Sequence, residues 1–410
     1  MTALDFSPDV DWGKFAPTRQ KLWVAISAWA AIAVIGTLLT YMLVLTGRSD
    51  VTIGGDFVVF YASATEAIRG GAAQLYDRIA FETLLHTHHA VPNDVSLTWQ
   101  YPPAYLLLIL PLAAAPFYFA FPLWSTTTAV GFYATARLVT RDRLVLFALI
   151  AAPASYTAYV TGQNGFFTAA LLSIAAMLPH KRPLLAGFAA GLLTVKPHLG
   201  LLIPIAYLAA GCWRAFAIAA LTSLLLAAGS VAVFGLETWV AFFAAASQTA
   251  ELLDNQSLPL AKMSTLFSAL LFTGAPKILA YAVYAFGALS CAVFVFATWR
   301  RVSDPLLRMA ALVASIFMVA PYGYHYELII LTIPGAIIVV RALKTGWLKY
   351  ERPLIAVAYI APAFIAETAN AQQGLSLGFT VTAIIFGLTV RRVLHDAPDL
   401  FRVKPTAAPS

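Results

Sequence analysis

Long apolar runs recur from one end of this 410-residue sequence to the other, and they constrain its fold more than any other feature. Many are about 17 to 25 residues long, the length that a helix needs to cross a hydrocarbon core about 30 Å thick. The chain is 60% hydrophobic and 11% charged, whereas soluble domains are roughly 25% charged. The sequence therefore predicts an all-α integral membrane protein that forms one polytopic domain over residues 1–410.

The basic residues predict how the chain is threaded through the membrane. About twelve crossings place most of the 26 Lys and Arg residues on one side, together with both termini, as the positive-inside rule expects for the cytoplasmic face. The predicted crossings lie near residues 22–45, 120–139, 144–161, 164–180, 183–196, 197–210, 214–234, 276–299, 305–321, 327–343, 353–369 and 375–390. The first run is too long for a signal-peptide core and is predicted to be an uncleaved anchor. Residues 396–410 are predicted to be a flexible tail.

Two long segments, 46–121 and 235–275, fall on the outer side in this threading. The first is predicted to hold two short helices lying on the membrane surface, each with one apolar face. These faces are Phe57, Phe60, Tyr61, Ala64 and Ile68, and then Tyr76, Ile79, Ala80 and Leu84. Residues 101–121 are also apolar, but counting them as a crossing would invert every later loop. Because prolines also interrupt this stretch, a re-entrant or juxtamembrane segment is predicted there.

Polar residues that are costly near a membrane collect on the outer side, which makes them functional candidates. They are Asp56, His86, His88, His89, Gln163, Asn164, Lys196, His198, Gln256, Lys262, His325, Glu327, Gln372 and Gln373. The basic residues are scattered over short inner loops, so no nucleic-acid partner is expected. Cys212 and Cys291 lie in apolar runs and indicate neither a disulfide framework nor a metal cluster.

Asp56 has two compatible interpretations. Its position behind two glycines and before a helical pattern is typical of a helix N-cap. A carboxylate held rigidly at a helix start also stays ionised, which suits a general base that takes a proton from a sugar hydroxyl.

Lys196 and His325 also have two interpretations each. Lys196, in the stretch TVKPHLG, is either a lysine that snorkels at a helix end or a cation that binds phosphate beside the N–H groups of a helix starting at Pro197. His325, in APYGYHYELI, belongs either to an interfacial aromatic belt or to a site where, beside Glu327, it donates to a leaving phosphate or orients a sugar.

Two further groups are weaker candidates. Residues 163–165, Gln-Asn-Gly, are typical of a tight turn between two spans, with a sugar-contacting role as the alternative. His86, His88 and His89 have a spacing that suggests a metal site, but no carboxylate-rich motif accompanies them. No metal is therefore expected at these histidines.

Taken together, five short motifs resemble those of the DUF2029 proteins, glycosyltransferase family 87. In chain order they are Gly-Asp-Phe followed by GGAAQLYD, YPP at 101–103, GQNG at 162–165, AGFAAGLLTVKPHLG at 186–200, and HYE at 325–327. Each motif is short, but their order and spacing are specific as a set. The resemblance covers nearly the whole chain.

This resemblance implies a GT-C fold with about 12 transmembrane helices and an enzyme that transfers a hexose from a polyprenyl-phosphate donor to a lipid or glycan acceptor. It implies an inverting single displacement with Asp56 as catalytic base and His325 as a second catalytic residue. We expect Lys196 and His198 to bind the donor phosphate. The expected substrate-binding residues are Tyr101, Gln163, Asn164, Tyr324 and Glu327.

The resemblance also bears on cofactors and location. A single carboxylate in the first outer loop replaces the paired carboxylates of metal-using GT-C enzymes, so neither a cofactor nor a divalent metal is expected. The best-understood members of the family transfer mannose, and these residues do not distinguish mannose from galactose, glucose or arabinose. The expected location is the bacterial inner membrane, with the active site on the periplasmic side of the cell envelope. A polytopic transporter is the alternative, although the inverted repeats usual in carriers are not seen in the sequence.

Overall fold

The computed structural model describes residues 18–45, 54–88, 91, 96–365 and 374–401. Within these ranges the chain is helical, and the β-structure is confined to a single bridge between Met263 and Tyr324. The α-helices are Arg19–Leu45, Phe57–Ile68, Arg78–His88, Pro103–Ile109, Phe117–Ala136, Arg143–Ile150, Pro153–Thr161, Gly165–Met177, Pro183–Leu192, Pro197–Gly200, Ile203–Ala209, Trp213–Phe234, Leu236–Asp254, Leu266–Phe272, Lys277–Arg301, Pro305–Val319, Thr332–Thr345, Glu351–Ile360 and Leu377–Asp396. The 3-10 turns are Gln74–Tyr76, Leu110–Ala114, Leu193–Val195, Leu260–Lys262, His325–Leu331 and Ala361–Phe364.

Five segments of the described chain are long and apolar enough to cross a membrane, which agrees with the predicted all-α membrane class. They are Arg19–Leu39, Trp213–Phe234, Lys277–Arg301, His325–Thr345 and Leu377–Asp396. A sixth is added if Arg143–Ile150 and Pro153–Thr161, which are bent by 43°, form one span.

The predicted count of about twelve crossings stays a prediction. Each predicted crossing overlaps a helix, but several of these helices are short. Pro183–Val195 and Pro197–Ala209 belong to the class of 10–17 residues, and a helix of that size extends only about 20 Å. Prolines at the start of both segments explain why the apolar run is divided.

The helix Phe57–Ile68 is enclosed by protein to a greater extent than its amphipathic pattern predicts. Eight of its twelve residues are buried, including Val58 and Val59, which lie outside the predicted apolar face. Ile68, which belongs to that face, is 63% exposed. This helix is therefore buried on more than the one predicted face, a difference that periodicity alone does not reveal because small apolar residues cover its other sides. Its place at the membrane surface stays a prediction.

The other predicted features of the first outer segment are met in part. In Arg78–His88 the buried residues are Phe81 and Leu85. Of the predicted face, Tyr76 is buried and Leu84 packs against the core, whereas Ile79 and Ala80 are exposed, so the prediction was wrong for these two. Residues 101–121 do not form one straight helix but a short helix, a 3-10 turn and the start of Phe117–Ala136. Whether this segment enters the membrane stays a prediction.

Candidate active site

Asp56 stands at the N-cap position of helix Phe57–Ile68, but its side chain accepts no hydrogen bond from the helix. The carboxylate is instead hydrogen-bonded by the Gln163 side chain. The Tyr101 hydroxyl donates to Gln163 Oε1 at 3.1 Å, which leaves the Gln163 amide N–H groups for Asp56. The side-chain capping interpretation was therefore wrong, and the carboxylate is held by a different network.

Burial raises the pKa of Asp56 above its ordinary value. The hydrogen bond from Gln163 and the positive charges of Lys262 and Lys196 act in the opposite direction. The expectation that the helix start keeps this carboxylate ionised is therefore corrected. The groups that favour the charged form are two lysines and an amide, and burial opposes them.

The GQNG turn joins the Asp56 helix to the C-terminal half of the chain. Gly162 ends helix Pro153–Thr161 in the left-handed region at φ 67°, and a Cβ placed on it would lie 2.6 Å from Cβ of Phe57. A Cβ on Gly165 would lie 2.8 Å from the carbonyl oxygen of Tyr326. Only glycine permits both approaches, which bring Gln163 to Asp56. The segment is thus the predicted tight turn, and it also supplies a residue to the site.

Lys196 and Glu327 form a buried ion pair, with Nζ 2.8 Å from Oε1. The other oxygen of Glu327 accepts the backbone N–H of Tyr324 at 2.9 Å. Lys196 Nζ also lies over the rings of Tyr101 and Tyr326, at 5.5 Å and 5.2 Å from their centroids. The snorkelling interpretation of Lys196 was therefore wrong, since its ammonium group points into the protein.

His198 faces the same carboxylate. Its Nε2 is 3.9 Å from Glu327 Oε1, and its ring centroid is 4.7 Å from that of Tyr322. Nε2 is buried without a hydrogen-bond partner among the described residues. The helix that contains His198, Pro197–Gly200, has only four residues, so its N-terminus adds little of the dipole expected from the sequence.

His325 lies beside Lys262, a polar candidate to which the sequence assigned no role in the site. The His325 ring faces the Lys262 carbonyl, and Nδ1 is buried without a partner at hydrogen-bond distance in the described chain. The charge of Lys262 acts on both His325 and Asp56. Lys262 belongs to no short motif, and its position in the fold places its charge near these two residues.

A second group of buried polar atoms surrounds Asn164. Its side chain is fully buried, and neither its amide nitrogen nor its oxygen has a partner among the described residues. The hydroxyl of Tyr105, also unpartnered there, lies next to this amide. Trp99 stacks on the Tyr105 ring with 6.0 Å between the ring centroids, and its Nε1 has no partner in the described part of the chain. Such groups are costly when unpaired, so these side chains are candidates to bind a polar ligand. Sequence reasoning missed Tyr105 and Trp99.

His86 and His88 do not join this site. His86 Nδ1 is 3.0 Å from the carbonyl of Val91, and His88 lines a surface cavity with Glu66 and Gln74. The other outer candidates His89, Gln372 and Gln373 lie outside the described residues. Among the residues that the structure describes, no group of three or more His, Cys, Asp or Glu is placed to hold a metal ion. The expectation of a metal-free enzyme stays a prediction.

A helical, membrane-capable chain that gathers a carboxylate, a lysine–glutamate pair and two histidines from distant segments has the features of a polytopic membrane enzyme. The family model for glycosyltransferase family 87 matches residues 99–321, more than half of the chain, so the protein belongs to this family and is a glycosyltransferase. The resemblance to this family is thereby confirmed, and the transporter alternative gains no support. YPP, GQNG and the segment 186–200 lie within the matched residues, whereas the Gly-Asp-Phe and HYE motifs lie outside them. No curated protein and no solved structure matches the chain.

Proposed function

We propose that this glycosyltransferase moves a sugar from a polyprenyl-phosphate donor to a lipid or glycan acceptor on the outer side of the bacterial inner membrane. The observation that carries the proposal is the position of Asp56. Its carboxylate is not used by the helix it precedes, and it is held by Gln163 in the same cluster as Lys196 and Glu327. Mannose is the sugar proposed first, since the best-understood members of the family use it.

The proposed reaction is an inverting single displacement. The acceptor hydroxyl oxygen forms a bond to the anomeric carbon of the sugar while its proton passes to the Asp56 carboxylate. The bond from the anomeric carbon to the phosphate oxygen breaks on the opposite face, and its electron pair leaves with the polyprenyl phosphate. A general base is most effective when its pKa lies near the working pH, and the burial of Asp56 acts in that direction.

The remaining residues are proposed to position the two substrates. Lys196 and His198, both directed at Glu327, line the donor side. His325 has an unpartnered ring nitrogen that can donate to the leaving phosphate or hold the sugar. Orientation of two bound substrates supplies about 7–11 kcal/mol of the barrier in the best cases, which suits a site with few charged groups.

The sugar-binding surface is proposed to lie around Asn164 and Tyr101, with Tyr324 at its edge. The unpaired amide of Asn164 offers two donors and an acceptor oxygen to sugar hydroxyls. Tyr101 provides an aromatic face next to Lys196. A divalent metal has no part in this scheme, in which the lysines carry the positive charge.

The proposal is tested with purified protein in lipid nanodiscs and a panel of polyprenyl-phosphate sugars, including mannose, galactose, glucose and arabinose. We expect one donor to release polyprenyl phosphate in the presence of an extracted membrane-lipid acceptor, in a reaction that survives a chelator. If Asp56→Asn released polyprenyl phosphate at the wild-type rate, Asp56 would have no role in the reaction. Absence of release from every donor, with nucleotide sugars active instead, would overturn the donor class.

A further inference from the structure

The segment that carries Lys262 is fixed beside the tyrosine-rich turn before His325. Met263 forms an antiparallel bridge with Tyr324, and Ser264 N–H donates to the carbonyl of Gly323 at 2.7 Å. On its other side, the Ser376 hydroxyl donates to the Met263 carbonyl at 2.7 Å. The position of Lys262 next to the site is therefore set by hydrogen bonds on both sides of the segment.

Lys262 is the exposed residue of this otherwise buried segment. Its neighbours Ala261 and Met263 are buried, whereas its own side chain is open to solvent. Among the described residues no carboxylate forms an ion pair with it. Its charge nevertheless acts on the Asp56 carboxylate and on the His325 ring, which face it from two other parts of the chain.

The other lysine of the site is already compensated. Lys196 is only 5% exposed, and its ammonium group is 2.8 Å from Glu327. The charges of this pair sum to zero, so an anion that approaches them gains little net attraction. Among the described residues around Asp56, Lys262 is the cation that has no ion-pair partner. An incoming phosphate can therefore pair with it.

We propose that Lys262 is the residue that binds the donor phosphate, and that Lys196 is a positioning residue held by Glu327. This inference rests on the proposed function. A donor phosphodiester carries one negative charge. When the bond from its oxygen to the sugar breaks, the phosphate becomes a monoester with a second negative charge developing. A lysine at the solvent-facing rim of the site reaches this charge as a compact point cation and stabilises it.

The same arrangement couples donor binding to the base. Before a donor binds, the charge of Lys262 acts on Asp56 and favours its ionised form. A phosphate that pairs with Lys262 offsets this positive charge, and the proton affinity of Asp56 then rises. The base becomes stronger when the donor is in place. The other ionisable groups whose charges interact with Asp56 are Lys196, Tyr101, Tyr324 and Tyr326.

The binding test uses undecaprenyl phosphate and the matching uncharged polyprenol as probes of the full chain in nanodiscs. Lys262→Gln should weaken binding of the phosphate about 10-fold, the amount expected for one charged hydrogen bond, and leave polyprenol binding unchanged. Lys262→Arg should restore most of the affinity. Lys277→Gln is the matched control, since Lys277 is an exposed lysine 2.7 Å from Asp254, and it should bind both probes as wild type does.

The kinetic test uses the pH dependence of kcat/KM. Loss of the cation beside Asp56 should move the acid limb of the Lys262→Gln profile to higher pH, a change that a purely structural role would not cause. Wild-type affinity for undecaprenyl phosphate in Lys262→Gln, or an equal loss for phosphate and polyprenol, would overturn the inference and leave the proposed function standing. Failure of wild type to bind undecaprenyl phosphate at all would overturn both.

Discussion

Lys196 Nζ lies 2.8 Å from Glu327 Oε1, although 131 residues separate the two in the chain. The side chains are 7% and 1% exposed, so both charges are withdrawn from solvent. The pair joins the KPH segment to the HYE segment and brings His198 within 3.9 Å of the same carboxylate. Removal of either partner would leave the other charge buried alone.

Lys196→Met is therefore expected to destabilise the folded protein strongly. An uncompensated buried charge costs about 3–5 kcal/mol, and Glu327 would be left in that state. The double variant Lys196→Met/Glu327→Gln should recover part of this loss because neither charge remains. Thermal unfolding of the single and double variants in nanodiscs measures the coupling between them.

The control for this pair is Lys277→Met. Lys277 contacts Asp254 at 2.7 Å, but its side chain is 48% exposed. Exposed pairs contribute little because solvent screens them, so the thermal midpoint should stay at the wild-type value. Equal destabilisation by Lys196→Met and Lys277→Met, or strictly additive effects in the double variant, would contradict the buried-pair interpretation.

Asp56→Asn is expected to remove catalysis without loss of stability. General-base catalysis contributes about 10²–10⁴-fold, and an amide cannot accept the proton. Because the carboxylate caps no helix N–H group, its replacement breaks no cap hydrogen bond. Turnover of the donor and the thermal midpoint are measured side by side.

Asp77→Asn is the matched control for Asp56. Asp77 Oδ1 accepts the N–H of Ala80 at 2.9 Å, so this aspartate does cap a helix of the same outer segment. Asparagine caps nearly as well as aspartate, and the Asp77 variant should keep its activity. Full turnover by Asp56→Asn, or equal losses in both variants, would refute a specific role for Asp56.

The pH dependence follows from the raised pKa of Asp56. The base acts only when ionised, so kcat/KM should fall on the acid side at a pH above the ordinary aspartate range. Stability should change in the opposite sense. Between the ordinary and the raised pKa the folded state binds the proton and the unfolded state does not, so stability declines as pH rises through that window.

Asp56→Asn removes this titrating group and should flatten the stability profile in that window. The measurement is the thermal midpoint of wild type and variant from about pH 3 to pH 8, the range that covers the ordinary aspartate pKa and values above it. The prediction would be contradicted if the wild-type midpoint rose with pH through this window while the midpoint of the variant stayed constant. That result would show that the fold stabilises the charged form of the carboxylate.

The sequence was sufficient for the class of fold because each crossing repeats one signal, a long apolar run. It was also sufficient to bring the early aspartate, the KP lysine and the HYE segment into one hypothesis, since those motifs follow one another in a recognisable order. The pairing of Lys196 with Glu327 could not be predicted from the sequence. An ion pair across 131 residues depends on how helices pack, and no local pattern encodes that.

Lys262 and Tyr105 are two further residues whose contacts depend on how helices pack and not on local sequence. Lys262 lies in a segment of ordinary composition and gains its importance from a bridge between Met263 and Tyr324. Tyr105 lies in the apolar stretch 101–121, which gives no sign of a polar contact, yet its hydroxyl lies beside Asn164 in the core. The burial of Phe57–Ile68 was misjudged for a related reason, because a helix enclosed on several sides has no single apolar face to detect.

Gly162→Ala and Gly165→Ala should each reduce both activity and stability. A methyl at 162 would meet Phe57 in a left-handed conformation, and one at 165 would meet the Tyr326 carbonyl. Overpacking of this kind costs about 1–3 kcal/mol and would move Gln163 away from Asp56. Gly131→Ala, inside helix Phe117–Ala136 with nothing within 4 Å of the new methyl, is the control and should be neutral or slightly stabilising. Thermal unfolding and donor turnover are the measurements. Wild-type turnover in both turn variants would mean that the reaction does not need the close approach of the GQNG turn to Phe57 and Tyr326.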